Sequence, residues 1–424
     1  MSPEDVGPRS PGRTEPRSGP ARLGPARLAA LLGLARLGVL DWTAIALLAA
    51  GLAFAGTGLL PSADAAATVH RILPILLFLA TILVLAELTA AAGVFDVAAT
   101  RLAIVARGNF AGLFLLCCAF ASVTTMTLNL DTTAVLLTPV MLALARTLDT
   151  DPLPLAMCTV WLANTASLLL PVSNLTNLLA ADRVDLSTAA FAARLGPAQA
   201  ASLGVTLAFL WACYWQRGRR GAARYVPPAP HVPADRWLFR VAGASCVFFV
   251  AAILGGVELG VASAIAAGVV LAAFLIRQRS SLGWRLVPWR LPVFVTGLFL
   301  VVQTVSVHLL GTVMSALISS SGGAAGVYRA ALTGAGLANL VNNLPSYVAG
   351  EAVIPAANHT QLLGLLVGVN VGPLITPWGS LAVLLWYERC VTSGLAVPLR
   401  RFTLTSAGVA VAGIGLSVAA LIWA

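Results

Sequence analysis

Apolar segments of about 20 residues recur along almost the whole chain and alternate with short polar or basic connections. A helix needs about 20 apolar residues to cross the hydrocarbon core of a bilayer. The pattern therefore predicts an all-α polytopic membrane protein. We expect nine spans, at Leu40–Leu60, Ile72–Ala92, Pro154–Leu179, Pro197–Trp215, Trp237–Gly256, Leu259–Ile276, Leu291–Leu310, Leu362–Trp386 and Phe402–Trp423.

Two further apolar regions, Phe110–Ala145 and Gly326–Ile354, are interrupted near their middle by polar clusters at Asn129–Thr133 and Asn339–Ser346. Each half is too short to cross comfortably, and non-helical backbone at membrane depth must be surrounded by protein or line a cavity. We therefore expect two re-entrant helical hairpins, each entering and leaving on one side.

Two of the predicted spans also contain breaks. The first has Pro171 beside polar side chains, and the second has glycine and proline residues between Asn370 and Ser380. We expect two broken transmembrane helices that line a cavity. A simple proline kink, or asparagine side chains that only join helices, is the structural alternative.

The chain shows an internal repeat. A displacement of 206 residues aligns NTASLLLPVSNLTNLL, from Asn164, with NVGPLITPWGSLAVLL, from Asn370, with six identities. Five crossings separate the starts of the two copies, so the second is inverted. Inverted repeats with interrupted helices are typical of secondary transporters.

We align the hairpin tips at a displacement of 212, which places Leu130 and Asp131 on Asn342 and Asn343. The predicted organisation is a disordered and interfacial N-terminal segment (1–39), a first transmembrane repeat (40–215), a basic cytoplasmic linker with a connecting span (216–258) and a second repeat (259–424).

Composition agrees with this interpretation, since 59% of residues are apolar and the mean hydropathy is +0.90. The net charge of +10 comes from 26 arginines, because the chain has no lysine. Most lie in the tail or in connections, which indicates membrane topology rather than nucleic-acid binding. By the positive-inside rule, the N-terminus and the linker at Gln216–Asp235 are cytoplasmic, and the uncharged stretch Thr312–Ala325 is external. The absence of lysine also excludes a P-loop of the Walker type.

The candidate substrate-binding residues cluster at the two hairpin tips and the two helix breaks. They are Asn129, Asp131, Thr132, Thr133, Asn164, Ser173, Asn174, Asn177, Asn342, Asn343, Ser346, Asn370, Thr376, Gly379 and Ser380. Asp131 is the carboxylate that we place near the midplane, so it is the first candidate for proton coupling, with Glu87 second. The structural alternative for Asp131 is a role as the N-cap of a helix.

No metal site, cofactor site or enzyme active site is recognisable. The six cysteines lie within or at the ends of apolar segments, without the spacing of a zinc site or a disulfide framework, and are interpreted as small core residues. A nucleophile with a partner base is also missing from the pattern.

The segments LDTTAVLLTP, LLLPVSNLTNLL, NNLPSYVAG and GPLITPWGSLAVLLW resemble the signature segments of arsenite efflux permeases of the ArsB type, a branch of the ion transporter superfamily. One departure is that Leu130 separates Asn129 from Asp131, where the family pattern has asparagine directly before aspartate. The resemblance implies arsenite or antimonite export across the inner membrane, and it admits a separate cytosolic ATPase as a partner. Sodium/proton antiporters and dicarboxylate carriers of the same superfamily share the hairpins and stay as alternatives.

Physical reasoning favours the arsenite branch. Arsenous acid is neutral at pH 7 and offers three hydroxyls, which suit asparagine, serine, threonine and backbone carbonyl groups. A dicarboxylate would be better served by added positive charge, and the four segments contain none. We therefore expect a secondary transporter in the bilayer that exports arsenite or antimonite against proton entry.

Overall fold

The computed structural model of the protein describes residues 39–216, 224–283, 286, 289–305, 311–318 and 323–423. Of the described residues, 44–423 belong to one compact unit, and residues 39–43 belong to a separate one. The N-terminal segment predicted at 1–39 therefore lies outside the described residues, except for residue 39. Residues 217–223 of the basic linker and the last five residues of the span predicted at Leu291–Leu310 lie outside them too.

The described chain is helical almost throughout, because its long apolar segments can satisfy their backbone hydrogen bonds internally only as helices. The helices are α1 (Val39–Gly56), α2 (Ser62–Ala91), α3 (Val94–Val105), α4 (Phe110–Leu128), α5 (Leu130–Thr147), α6 (Pro152–Thr165), α7 (Leu175–Val184), α8 (Thr188–Trp215), α9 (Arg236–Leu254), α10 (Leu259–Arg277), α11 (Arg290–Val305), α12 (Gly311–Ile318), α13 (Ala324–Val341), α14 (Asn343–Glu351), α15 (His359–Val371), α16 (Leu381–Thr392) and α17 (Leu399–Trp423).

The predicted all-α polytopic fold is confirmed. Among the described residues, seven helices are long and apolar enough to cross a membrane, namely α2, α4, α5, α8, α9, α10 and α17. Shorter apolar helices at Trp42–Gly56 and Pro292–Val305 lie at two other predicted spans. The remaining predicted spans are the two broken helices.

Two helices lie outside the predicted spans and hairpins. Helix α3 buries Phe95, Ala99 and Ala103. Helix α12 occupies the first part of the uncharged stretch Thr312–Ala325, which the positions of the predicted spans leave as a loop. That interpretation is wrong for α12, because the charge of a connection indicates its side of the membrane and not its conformation.

Hairpin 1 consists of α4 and α5, which are separated by the single residue Asn129. Its arms have 19 and 18 residues, or about 29 and 27 Å at 1.5 Å per residue. The expectation that each half is too short to cross is therefore wrong for hairpin 1. Its first arm is helical up to the residue before Asn129, and its second arm is helical from the residue after Asn129 to Thr147. Hairpin 2 consists of α13, with 18 residues, and α14, with 9, separated by Asn342. The re-entrant course of both hairpins stays a prediction.

Both predicted broken helices are present. Broken helix 1 consists of α6 and α7, and residues 166–174 between them hold one 3₁₀ turn at Pro171–Ser173. Broken helix 2 consists of α15 and α16, with a 3₁₀ turn at Gly372–Leu374. A break of this length is more than a proline kink, so that alternative is wrong.

Arginines near the ends of the helices make contacts that sort into two groups. On the predicted cytoplasmic side, Arg146 donates to the Ser393 carbonyl at 2.5 Å, Arg401 to the Cys213 carbonyl at 2.5 Å, and Arg277 to Asp235 at 3.2 Å. On the predicted external side, Arg183 lies 3.9 Å from Glu351, and Arg194 donates to Thr360 at 3.4 Å. The sidedness of the spans stays a prediction.

Asp235 caps α9 on the predicted cytoplasmic side. Its Oδ1 accepts hydrogen bonds from the amides of Trp237 at 2.8 Å and Leu238 at 3.1 Å. The pKa of Asp235 is held below its usual value. The largest cause is the hydrogen bond from the Leu238 amide, and the Trp237 amide and Arg277 contribute as well.

Hairpin 2 packs closely on broken helix 2 because three glycines, two in α15 and one directly after it, face α13. The pairs are Val327 with Gly364, Ala331 with Gly368, and Ala335 with Gly372. A Cβ on Gly368 would overlap the Ala331 carbonyl. The first arm of hairpin 2 is therefore held against the helix that leads into the second break.

Candidate functional site

Hairpin 1 turns at Asn129, whose backbone has φ 94° and ψ 167°. This region is almost restricted to glycine, and a residue held there costs about 1–3 kcal/mol. The side chain offsets part of that cost, because Asn129 Oδ1 accepts the Thr132 amide at 2.8 Å and so caps α5. Such strain is common at functional sites.

Hairpin 2 turns in the same way at Asn342, with φ 99° and ψ 155°. The two tips also match one turn further along the chain. Thr133 Oγ1 donates to the Asn129 carbonyl at 3.0 Å, and Ser346 Oγ donates to the Asn342 carbonyl at 2.6 Å. The tips therefore correspond at a displacement of 213. The displacement of 212 from the sequence was wrong by one residue, because the identities near the tips are too few to fix the register.

Asp131 lies in the first turn of α5 and does not cap it, because Asn129 does. The interpretation of Asp131 as the N-cap is therefore wrong. Its Oδ1 is buried, and among the described residues it has no hydrogen-bond partner. The free amides at the start of a helix favour a negative charge at this position.

Two hydroxyls of hairpin 1 share this property. Within the described chain, Thr132 Oγ1 and Thr138 Oγ1 are buried without a hydrogen-bond partner. Between them, Thr133–Leu137 form a π-helical turn, a feature found frequently at functional sites. The start of α5 thus combines irregular helix with unsatisfied polar atoms.

A cavity of about 40 Å³ lies where the two hairpin tips meet the two helix breaks. That is enough room for a small solute, since one water needs on the order of 10–15 Å³. Five of its lining residues were predicted from the sequence: Asn129, Asp131, Asn174, Asn342 and Asn343. The other lining residues are Phe78, Leu130, Val172, Leu175, Phe294, Val295, Leu344 and Leu381. Among these described residues, Asp131 alone is ionisable.

The two broken helices are joined by a reciprocal pair of hydrogen bonds. Asn174 Nδ2 donates to Asn370 Oδ1 at 3.0 Å, and Ser380 Oγ donates to Asn164 Oδ1 at 2.9 Å. The displacement of 206 relates Asn164 to Asn370 and Asn174 to Ser380. Asn174 and Ser380 are also the N-caps of α7 and α16, both in extended conformation. Each half therefore bonds its cap residue to the asparagine of the other half.

Asn370 is the centre of this network. It also accepts from Thr176 Oγ1 at 2.7 Å and donates to Asn177 Oδ1 at 2.6 Å. Asn164, Asn177, Asn370 and Ser380 are fully buried and are not among the residues that line the cavity. Of the candidate residues at the breaks, Asn174 alone both belongs to this network and faces the cavity in the described structure.

Other candidate residues support the backbone of the breaks. Ser173 Oγ donates to the Leu170 carbonyl at 2.8 Å, and the Thr376 amide donates to Asn339 Oδ1 at 3.0 Å. Gly379 has no room for a side chain, because a Cβ would lie 2.5 Å from the Pro373 carbonyl. Glu87 lies in α2 and is not among the lining residues.

Gln199, which is not among the predicted site residues, supports the first break from α8. Its Oε1 accepts the Leu168 amide at 2.8 Å, and its Nε2 donates to the Thr165 carbonyl at 2.8 Å. The available signal was an amide side chain in an otherwise apolar span. Phe78 and Phe294 on the cavity wall were not predicted either, because the apolar pattern contains no signal that distinguishes them from other core residues.

Apolar helices with two paired breaks and two hairpin tips around a small polar cavity define a membrane transporter. The sequence profile of the citrate transporter family, CitMHS, matches residues 30–367. The chain therefore belongs to this family, whose members are transporters and not enzymes.

Curated relatives carry the name arsenical pump membrane protein. The chain is 28% identical over 278 residues to that of Yersinia enterocolitica and 29% identical over 278 residues to that of Escherichia coli strain K12. Each match covers 60% of this chain and 64% of the relative. The predicted resemblance to arsenite efflux permeases is thereby confirmed.

The YdaH transporter of Alcanivorax borkumensis, described as having an unusual topology, has a similar fold. The TM-score is 0.54 at 13% identity, and the similarity covers 91% of this chain and 97% of that one. At this identity the likeness concerns the fold alone.

Proposed function

We propose that the protein is a secondary active transporter that exports arsenite or antimonite in exchange for protons. The observation that carries this proposal is the lining of the cavity, which offers asparagine amides and one carboxylate. A small neutral hydroxylated solute can hydrogen-bond to such groups without a compensating cation. The names of the curated relatives support the same substrate class.

The name of the family supports a second candidate, a citrate or dicarboxylate carrier. Such a substrate carries several negative charges, and burying them without a positive partner is costly. None of the described lining residues is basic, and Asp131, when ionised, would repel a carboxylate. A sodium/proton antiporter is the third candidate, in which Asp131 would bind the cation.

The proposal includes an architecture and a setting. The reciprocal bonds between the broken helices support two repeats of inverted topology that meet at the midplane. We place the protein in the inner membrane with its N-terminus in the cytoplasm. A separate cytosolic ATPase is admitted as a partner, and Asp131 is assigned the coupling role.

Uptake into everted membrane vesicles tests the substrate and the coupling together. We expect accumulation of arsenite that depends on an imposed proton gradient and that citrate does not compete away. Matched vesicles lacking the transporter serve as the control. Citrate uptake without arsenite uptake would show that the carboxylate candidate is correct, and cation-for-proton exchange unaffected by arsenite would show that the antiporter is.

A further inference from the structure

Two cysteines outside the cavity lie in contact between hairpin 1 and broken helix 1. Cys118 belongs to α4, Cys158 belongs to α6, and their Sγ atoms are 3.5 Å apart. Both side chains are buried, and both thiols are free. The sequence placed these residues 40 positions apart, so only the packing of α4 on α6 brings them together.

The separation fits one atom bonded to both sulfurs. With bonds of about 2.3 Å, the length found in zinc–thiolate sites, two sulfurs 3.5 Å apart subtend an angle of about 100° at the bridging atom. That angle suits a pyramidal trivalent centre and is too small for a linear two-coordinate metal. Among the described residues, no group of three or more His, Cys, Asp or Glu side chains is placed to hold a metal ion, so the pair would act as a two-thiol ligand.

We propose that Cys118 and Cys158 form a second site that binds trivalent arsenic covalently and inhibits transport. The proposal rests on the proposed function for its physiological ligand. Each S–H bond is replaced by an S–As bond, the two protons leave with oxygen from the arsenical as water, and arsenic remains trivalent. No oxidant or reductant is required. A neutral arsenical can enter these apolar surroundings without the desolvation cost of an ion.

Inhibition follows from where the two residues lie. Cys118 is on the arm that leads to the tip at Asn129, and Cys158 is on the helix that leads to the break with Asn164. A covalent bridge would fix the arm against the broken helix and prevent any movement of hairpin 1 relative to it. Transport would then stop when arsenic occupies this site.

The binding test uses the purified full-length chain and phenylarsine oxide, which has two positions available for thiols. After treatment, N-ethylmaleimide in SDS counts the remaining free thiols by intact mass. We expect wild type to show one arsenical adduct and two fewer free thiols, and Cys118→Ser and Cys158→Ser to show no adduct. Cys213→Ser and Cys246→Ser are controls that should keep it, as should Cys117→Ser, because the ligand needs only the contacting pair.

Size-exclusion profiles identify variants that have not folded. The test needs only one of the two variants, Cys118→Ser or Cys158→Ser, to be folded. The absence of an adduct on wild type, or its persistence in Cys158→Ser, would overturn the site. The reverse reaction gives a further check, since 2,3-dimercaptopropanol should release the arsenical and a monothiol should not.

The transport test separates this site from the proposed function. Phenylarsine oxide should inhibit arsenite uptake by wild type and leave uptake by Cys158→Ser unchanged. If wild type carries the adduct and still transports at the full rate, the inhibitory role is wrong. If the adduct forms but the chain transports no arsenite at all, the thiol site stands and the proposed function fails.

Discussion

Asp131 is the residue on which energy coupling would depend. It combines a buried oxygen that has no hydrogen-bond partner in the described structure with a position beside free helix amides at the cavity. Asp131→Asn preserves shape and hydrogen bonding but cannot titrate. We expect the variant to bind substrate and to lose accumulation driven by a pH gradient, as measured by vesicle uptake with and without that gradient.

Glu87→Gln is the matched control for Asp131→Asn, because Glu87 is the other predicted coupling carboxylate and is not among the lining residues. It should retain gradient-driven accumulation. Full accumulation by Asp131→Asn together with loss in Glu87→Gln would transfer the coupling role to Glu87.

Asn129 has two separable functions, a strained backbone conformation and a cap. Asn129→Gly relieves the strain while removing the cap, so its stability should change by less than about 1 kcal/mol. Asn129→Ala removes the cap and keeps the strain that wild type already carries, so it should cost about 1–2 kcal/mol, and the glycine variant should be more stable than the alanine variant by about 1–3 kcal/mol. Unfolding in detergent measures both.

Asn109 is the control for Asn129, because it also caps a helix but has an ordinary φ of −89°. Asn109→Ala should cost only the cap, about 1 kcal/mol. At position 109, glycine should be better than alanine by less than about 1 kcal/mol. An advantage of glycine over alanine at position 129 that is no larger than at position 109 would show that the conformation of the tip is not strained.

The packing of hairpin 2 on broken helix 2 depends on Gly368. A Cβ at this position meets the Ala331 carbonyl in the middle of α13, and neither helix can shift without disturbing its neighbours. Gly368→Ala should therefore destabilise the protein by about 1–3 kcal/mol. Gly336→Ala, on α13 with no atom within 4 Å of its Cβ, should be neutral or stabilising by up to about 1 kcal/mol. Similar unfolding midpoints for both variants would contradict the close contact.

The bonds between the broken helices differ in importance. Asn370→Ala leaves Asn174, Thr176 and Asn177 each without one partner, so we expect a loss of about 3 kcal/mol. Ser380→Ala removes one such bond and a cap, and should cost about 1–2 kcal/mol. A smaller loss in Asn370→Ala than in Ser380→Ala would mean that the network does not hold the two halves together.

The topology of the entire chain can be tested with accessible tags. A tag in Gln216–Asp235 should be cytoplasmic and one in Thr312–Ala325 external, because arginine is concentrated in the first and missing from the second. Protease protection in spheroplasts measures both positions. Detection of both tags on the same face would overturn the arrangement of spans and the inverted repeat with it.

The sequence by itself determined the helical class, the two breaks and the polar residues at the tips. Apolar length fixes what can lie in a membrane, and proline, glycine and asparagine within an apolar segment mark where a helix must stop. The displacement of 206 was recoverable because enough positions in that segment are identical. At the tips the identities were too few, so backbone conformation had to correct the register to 213.

Only the tertiary structure decided which polar residues face the cavity and which bond to one another. Asn174 and Asn370 belong to the same kind of motif, yet one reaches the cavity and the other is fully buried behind it. The contact of Cys118 with Cys158 was likewise unreadable from spacing. The physical reason is that a helix break exposes several hydrogen-bonding groups at once, and the orientation of each is set by helices distant in sequence that pack against it.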